Sequence, residues 1–351
     1  PPLDVETWQK TVRQFKPRAA RGPDGFAKND LLFMPHSFSW PLLHMLQQIE
    51  QTDKPWPAQL LFGTVIGTAK RKDAHEESHF RPITLFSILF RCWSRLRTKQ
   101  MISQMAIFMP AEALGFLPHR EATEIWLQLQ GQIELMLTLD EPFCGLSSDV
   151  KRAFNHIGTK QVFHMSRHLG FPEELLNPWD KFLSAFVRRF DIRGCVGPIM
   201  TSDSGYPEGD PLSILAMLTV NWGYHIYMKI FVPKVQAYSF VDNLTLAARE
   251  AQQVIQGYFA MLAYNELFGL SLDDEKTYVW GLTTVLRKTL AQLGLPCVYD
   301  ASELGASLSY GAKIRNRHLK ARGTGMDEKW QKLRRSAAPT LQKFRSEEHT
   351  S

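Results

Sequence analysis

Two short acidic stretches carry residues able to do chemistry. The first, Tyr238-Ser-Phe-Val-Asp242-Asn243-Leu-Thr-Leu246, sets apolar, β-favouring residues on both sides of one acid–amide pair. Asp-Asn tolerates the positive φ of a two-residue hairpin turn, so the stretch predicts strand, tight turn, strand, with a carboxylate held at the tip. The second, Phe143-Cys-Gly-Leu-Ser-Ser-Asp149-Val150, predicts a short strand, and Lys151-Arg-Ala-Phe154-Asn-His156 begins something helical. Asp149 therefore also stands at a strand end. Alone, either acid is an ordinary turn or cap residue, because Asp and Asn occupy turns for local reasons. Two strand-end carboxylates from distant parts of a chain can nonetheless converge on divalent cations, and Mg²⁺ takes few protein carboxylates alongside substrate phosphates. That is the economy of two-metal phosphoryl transfer, in which ions roughly 3.5–4 Å apart clamp the attacking and leaving oxygens.

The order of further motifs gives these acids a context. Asp149-Val-Lys-Arg-Ala-Phe154-Asn resembles the first catalytic motif of reverse transcriptases, and Phe240-Val-Asp242-Asn243 resembles their Tyr/Phe-X-Asp-Asp box. Between them, Ser204-Gly-Tyr-Pro-Glu208-Gly209-Asp-Pro-Leu-Ser213 is similar to the family's Gly-X-Pro-Gln-Gly-X-X-X-Ser segment. Gly269-Leu-Ser-Leu-Asp-Asp-Glu-Lys276-Thr and Leu304-Gly305 continue the series. Upstream, Gly22-Pro-Asp-Gly25, Arg81-Pro-Ile-Thr-Leu and Leu114-Gly-Phe-Leu-Pro-His-Arg120 resemble the family's fingers, most closely in non-LTR retrotransposon and group II intron enzymes. The resemblance runs from about Trp8 to Gly311. Each motif is weak alone; their shared order is the signal.

The resemblance implies an α+β right-hand polymerase fold of fingers, palm and partial thumb, with a small antiparallel palm sheet backed by helices. It implies RNA-directed DNA polymerase activity with two Mg²⁺ ions, or Mn²⁺ in their place, held by Asp149, Asp242 and the Val150 carbonyl. An RNA template, a DNA primer or duplex, and dNTPs are the partners. Phe154 becomes a steric gate against the 2′-hydroxyl, the group that distinguishes RNA from DNA. Arg81 and Lys70 or Lys72 would neutralise the triphosphate, Arg being suited to bidentate phosphate contact. Lys276 would serve as general acid to the leaving pyrophosphate. Gly205 and Gly209 permit close backbone approach before a helix N-terminus that favours phosphate. Glu208, Leu304, Gly305, Lys313 and Arg315 are the expected primer and template contacts.

Two departures stand out. Glu208 replaces the family's Gln and so loses a donor, and Asn243 replaces the second Asp of the pair. A unit charge at about 4 Å is worth roughly 4 kcal/mol at an effective dielectric near 20, a heavy loss if this side chain touches a cation. Negative-strand RNA virus polymerases resemble this arrangement, carrying Gly-Asp-Asn. The rival from another class is a catalytically impaired nucleic-acid-binding module. His75-Glu-Glu-Ser-His79 matches the zinc motif HExxH, but Arg81-Pro82 follows at once and disfavours the helix that the motif needs.

Several elements must position these residues. Trp8, Val12 and Phe15 recur at helical spacing after Leu3-Asp4, and Pro17 ends the run. Further helices are expected over Leu42–Ile49, Leu85–Met105, Glu121–Leu137 and Gln252–Phe268, the last closed by Gly269. Strands are expected over Leu60–Ala69, Lys276–Gly281 and Leu304–Ser309. The long apolar run Leu212–Val232 carries Asn221, His225 and Lys229 at i, i+4, i+8, which predicts a buried helix with one wet face and not a bilayer span. The expected division is fingers over 1–140, palm over 141–311 with 170–203 contributing to the fingers, and the start of a basic thumb over 312–344.

With 351 residues the chain can bury a large core, and its net charge of +6 favours a polyanionic partner. Ten Lys or Arg against Asp327 and Glu328 lie between Ala312 and Phe344, a local +8. Four widely spaced cysteines without a CxxC pair argue against a zinc ribbon or a disulfide scaffold. An intracellular setting, nuclear or cytoplasmic, is expected from the absence of a leader segment, and the missing initiator Met suggests a fragment. Arg345–Ser351 is similar to a translated sequencing adapter and is set aside.

Overall fold

The computed structural model describes residues 2–311, except residues 53, 71, 72, 74, 77, 78, 193, 202, 203 and 305. Lys72, Gly305, Lys313 and Arg315, together with the basic stretch 312–344, lie outside the described residues.

The chain opens with α1 (Val5–Arg13), whose first turn is capped by the Asp4 carboxylate accepting from the Thr7 N–H at 2.8 Å. α2 (Lys28–Leu32) and α3 (His36–Gln51) follow, then β1 (Phe62–Ala69), β2 (Phe80–Leu85), α4 (Ile88–Phe108) and α5 (Ala122–Leu139). The middle of the chain forms β3 (Cys144–Asp149), α6 (Ala153–His156), α7 (Thr159–His168), α8 (Glu173–Ala185), β4 (Val187–Ile192) and β5 (Cys195–Val196). After these come α9 (Ser213–Phe231), β6 (Gln236–Phe240), β7 (Asn243–Ala248), α10 (Ala251–Leu267), β8 (Tyr278–Gly281), α11 (Thr284–Leu290), β9 (Asp300–Glu303) and β10 (Ala306–Ser309).

The strands make two four-stranded sheets and one hairpin. The first sheet has the order β2-β1-β4-β5, so a strand from the middle of the chain joins the N-terminal hairpin in parallel. The second has the order β6-β7-β3-β8 and is antiparallel throughout. Helices α9 and α10 back this second sheet, with α9 against β6 and α10 against β3 and β7. That is the expected helix-backed antiparallel sheet. An aromatic core of Trp56, Phe86, Phe90, Trp93 and Phe182, all nearly water-free, packs α4 against α8. The Trp56 indole meets Trp93 edge-on at 4.9 Å and donates its N–H to the Pro178 carbonyl at 2.7 Å. Both its apolar body and its single donor are thus satisfied.

Four expectations are corrected. The helix expected from Leu85 begins at Ile88, and Leu85 instead ends strand β2, which holds Arg81-Pro82-Ile83-Thr84; proline is tolerated because β2 is an edge strand. Leu304 is not the start of a strand but the tip of the β9–β10 hairpin, with φ of 48°. The turn of the central hairpin is displaced by one residue. Val241 carries the positive φ, 60°, while Asn243 opens β7 and pairs with Phe240. Finally, the polar stripe of α9 is dry: Asn221 and His225 are buried, and only Lys229 reaches solvent. Among the described residues no helix is long and apolar enough to cross a membrane.

Candidate active site

Antiparallel register brings the two predicted acids together. β3 runs beside β7 with Asp149 opposite Asn243, and the Val150 N–H donates to the Asp242 carbonyl at 2.8 Å. The ends of β3 and of the β6–β7 turn therefore form one corner of the sheet, with both carboxylates at it. Asp149 is 8% exposed. Burial, and then the neighbouring Asp149 charge, push the Asp242 carboxyl above the usual carboxylate range, while Lys276 and Arg81 oppose that rise. A buried acid whose ionisation a neighbouring carboxylate opposes gains from a cation.

The third oxygen that family resemblance implies is the Val150 carbonyl. Among the described residues it takes no backbone hydrogen bond, although Val150 itself is buried. On either side of it the chain is tied down, by Asp273 N–H to Asp149 O and Lys151 N–H to Ser271 O, each 2.8 Å. A carbonyl of a buried residue next in sequence to Asp149, with no backbone donor, fits a hard divalent ion. Lys276 supplies positive charge at the same place, its ammonium bonded to the Asp149 carboxylate and 3.4 Å from Asp273. Burial pulls the Lys276 pKa down as the largest single effect, but Asp149 and Asp273 together carry it above its ordinary value. Lys276 thus sits on an acid of the site with its side chain 61% exposed.

Phe154, on α6, is half-buried and lines a cavity of about 710 Å³ with Ile83, Arg95, Lys99, Glu208, Gly209 and Ile214 among its walls. Glu208 accepts a hydrogen bond from the Asn155 amide at 3.2 Å, and its own carbonyl receives the Thr84 N–H at 2.7 Å. The two glycines do approach backbone closely, but the backbone is the protein's own. A Cβ on Gly205 would meet the Asn155 carbonyl oxygen at 2.3 Å, and one on Gly209 the Thr84 carbonyl oxygen at 2.4 Å. Both have positive φ, so they knit this loop to α6 and β2.

Arg81 is exposed on β2, close enough to Asp242 to influence it. Lys70 closes β1's neighbouring turn through its N–H to the His79 carbonyl, 2.9 Å. Leu304 packs with Phe240 against Leu114, Ile125 and Tyr238, which places the β9–β10 tip beside the central hairpin. The HExxH match lacks, at His75 and Glu76, the helix that the zinc motif needs. His79 pairs with Glu76 at 3.3 Å, and no three His, Cys, Asp or Glu among the described residues are grouped to hold a metal.

Three functional features escape sequence reasoning. Asp210 is fully buried, accepting from Ser94 of α4 and from the Leu212 N–H at 3.0 Å, so it joins α4 to the start of α9. Asp-Pro ahead of a helix was its visible signal. Asp273 holds Lys276 and the Asp149 carbonyl, with no distinguishing signal. Asn221 and His225 face the central hairpin, which only the tertiary structure shows.

A helix-backed antiparallel sheet, flanked by a second sheet, is the right-hand polymerase fold. The family description "Reverse transcriptase (RNA-dependent DNA polymerase)" matches residues 69–295, and the chain belongs to that family. No curated protein matches the sequence. Among solved structures the fold is similar to apo telomerase from Candida tropicalis truncated from its C-terminal domain, with a TM-score of 0.54 and 9% identity. That match covers 74% of this chain and 55% of the other, so this chain spans about half the telomerase's length.

Proposed function

We propose that the chain is the RNA-directed DNA polymerase of a retroelement, of the non-LTR or group II intron type, working inside the cell. It extends a DNA primer with dNTPs on an RNA template. The observation that carries this reading is the meeting of Asp149 and Asp242 at one corner of the β6-β7-β3-β8 sheet. Residues 1–140 with 170–203 serve as fingers, 141–311 as palm and 312–344 as the start of the thumb.

Asp149, Asp242 and the Val150 carbonyl would hold Mg²⁺, with Mn²⁺ as substitute. Bound there, the ions would neutralise the triphosphate and favour the deprotonated primer hydroxyl. The chain's own residues do the rest. Arg81, with Lys70 and Lys72, holds phosphate oxygens from the fingers side. Phe154 closes the sugar side of the cavity against a 2′-hydroxyl. Lys276, whose ammonium bonds the Asp149 carboxylate, would deliver a proton to departing pyrophosphate. Leu304 and Gly305 lie along the primer, and Lys313, Arg315 and the basic stretch beyond track the duplex phosphates, which makes binding salt-sensitive.

Primer extension on poly(rA)/oligo(dT) with dTTP and either Mg²⁺ or Mn²⁺ tests the proposal. Extension that Asp149→Asn or Asp242→Asn abolishes supports it; no extension with either metal removes it. The second reading, an impaired module that binds nucleic acid without extending it, is favoured by one observation, the amide of Asn243 facing Asp149.

A further inference from the structure

The central hairpin places Asp242 with a backbone that does not hold itself. Val241 has φ of 60°, a left-handed conformation that a β-branched residue adopts only where its surroundings impose it. Asn221, 4% exposed on α9, donates its side-chain amide to the Val241 carbonyl at 3.1 Å. One helical turn later, His225 Nε2 meets the Ser239 hydroxyl at 2.8 Å, so two successive rungs of α9 grip β6 and its turn. The opposite side is also closed. Residues 112–114 run parallel to β6, with Leu114 N–H to Ser239 O at 2.9 Å and Ser239 N–H to Glu112 O at 3.0 Å. That brings Gly115 against the turn: a Cβ there would lie 2.6 Å from the Val241 nitrogen.

We propose that Asn221 is a positioning residue for Asp242: its amide, with Gly115 behind the turn, clamps Val241 in the left-handed conformation that sets Asp242 beside Asp149. This rests on the reading of Asp242 as a cation-holding carboxylate. Asn221 touches no substrate and acts only through the turn. Groups that orient a metal-holding carboxylate govern affinity almost as strongly as the carboxylate itself.

The test uses two readouts that need no polymerase activity. Asn221→Leu keeps the branched outline and removes the donor, whereas Asn221→Gln keeps an amide. Titrating the whole chain with Mn²⁺ alone and following the free-ion signal by electron paramagnetic resonance should show Asn221→Leu binding roughly 10–100-fold more weakly. Asn221→Gln should recover much of that loss. Amide exchange at Val150, whose N–H reports the Asp242 carbonyl, should accelerate at least about tenfold in Asn221→Leu, with Leu246 in mid-strand unchanged. Wild-type Mn²⁺ affinity, or wild-type exchange at Val150, in a folded Asn221→Leu protein would overturn the proposal. If Asn221→Leu does not fold, Gly115→Ala, which pushes the turn from its other side, is judged by the same two measurements. A wild-type chain that binds Mn²⁺ but never extends a primer would sink the proposed function and leave the clamp standing. A wild-type chain that binds no Mn²⁺ would end both.

Discussion

Asn243 is where the chain departs from the acidic pair that its family resemblance implies. It lies directly opposite Asp149 in the ladder, and directly opposed residues share a face, as the 3.5 Å contact between Ser147 and Thr245 two positions along demonstrates. Asn243→Asp therefore adds a third carboxylate to a corner where burial and Asp149 already raise Asp242. In EDTA the variant should be less stable than wild type by about 1 kcal/mol, the scale of opposed like charges. Added Mg²⁺ should then raise its thermal midpoint more than it raises that of wild type, because the ion binds the folded state only. Nucleotide incorporation should rise at least about tenfold, or about 1.4 kcal/mol in the barrier. Equal Mg²⁺ shifts and equal rates would mean that Asn243 lies outside the cation's reach. Phe154 offers a second measurement at this scale. Trimming it to Val opens the cavity wall, so the preference for dTTP over UTP should fall about tenfold or more while primer binding holds.

At the scale of elements, what the sequence made visible and what it hid have separate causes. β3, β7, α5, α9 and α10 were legible because each has a period or an apolar run long enough to outweigh its ends. β2 was hidden because Arg81-Pro82 reads as a breaker, and only its place at a sheet edge makes proline harmless. β9 was hidden because Asp300-Ala-Ser-Glu303 has neither alternation nor bulk. The turn at Val241 was misplaced by one residue because local preference favours Asp-Asn, while tertiary contacts from Asn221 and Gly115 put the strain on valine. Glu50 was likewise unremarkable in sequence. In the fold it accepts from the Trp93 indole and the Arg97 guanidinium, both at 2.6 Å, and fastens α3 to α4 under the aromatic core. Glu50→Ala would take the carboxylate from Arg97 and the acceptor from the Trp93 indole in a nearly dry site, at a cost of about 3–5 kcal/mol. Urea unfolding followed by tryptophan fluorescence should show that loss, and a loss below about 1 kcal/mol would contradict the fastening role.

For the whole molecule, two buried titratable groups, one just ahead of α9 and one within it, act on pH stability in opposite directions. Burial pushes the Asp210 carboxyl from 3.8 to about 6, against the hydrogen bonds from Ser94 and Leu212 that pull it down. A raised carboxyl favours folding most when protonated, so its contribution is present below pH 3.8 and is lost as pH rises through about 6. Burial depresses the His225 imidazole from 6.5 to about 4. Its contribution is present above pH 6.5 and is lost as pH falls through about 4. Each group spans a little over two pH units, or about 3 kcal/mol, and the two slopes oppose each other between about pH 4 and 6. The pair should therefore contribute almost no net slope in wild type. Asp210→Asn removes one arm, so its stability relative to wild type should climb by about 3 kcal/mol from pH 4 to 6. His225→Gln removes the other, so its relative stability should fall by about as much across the same window. Chemical denaturation at half-unit pH steps reads both differences directly. Parallel curves for the three proteins would mean that neither group is held in the protonation state that its burial demands.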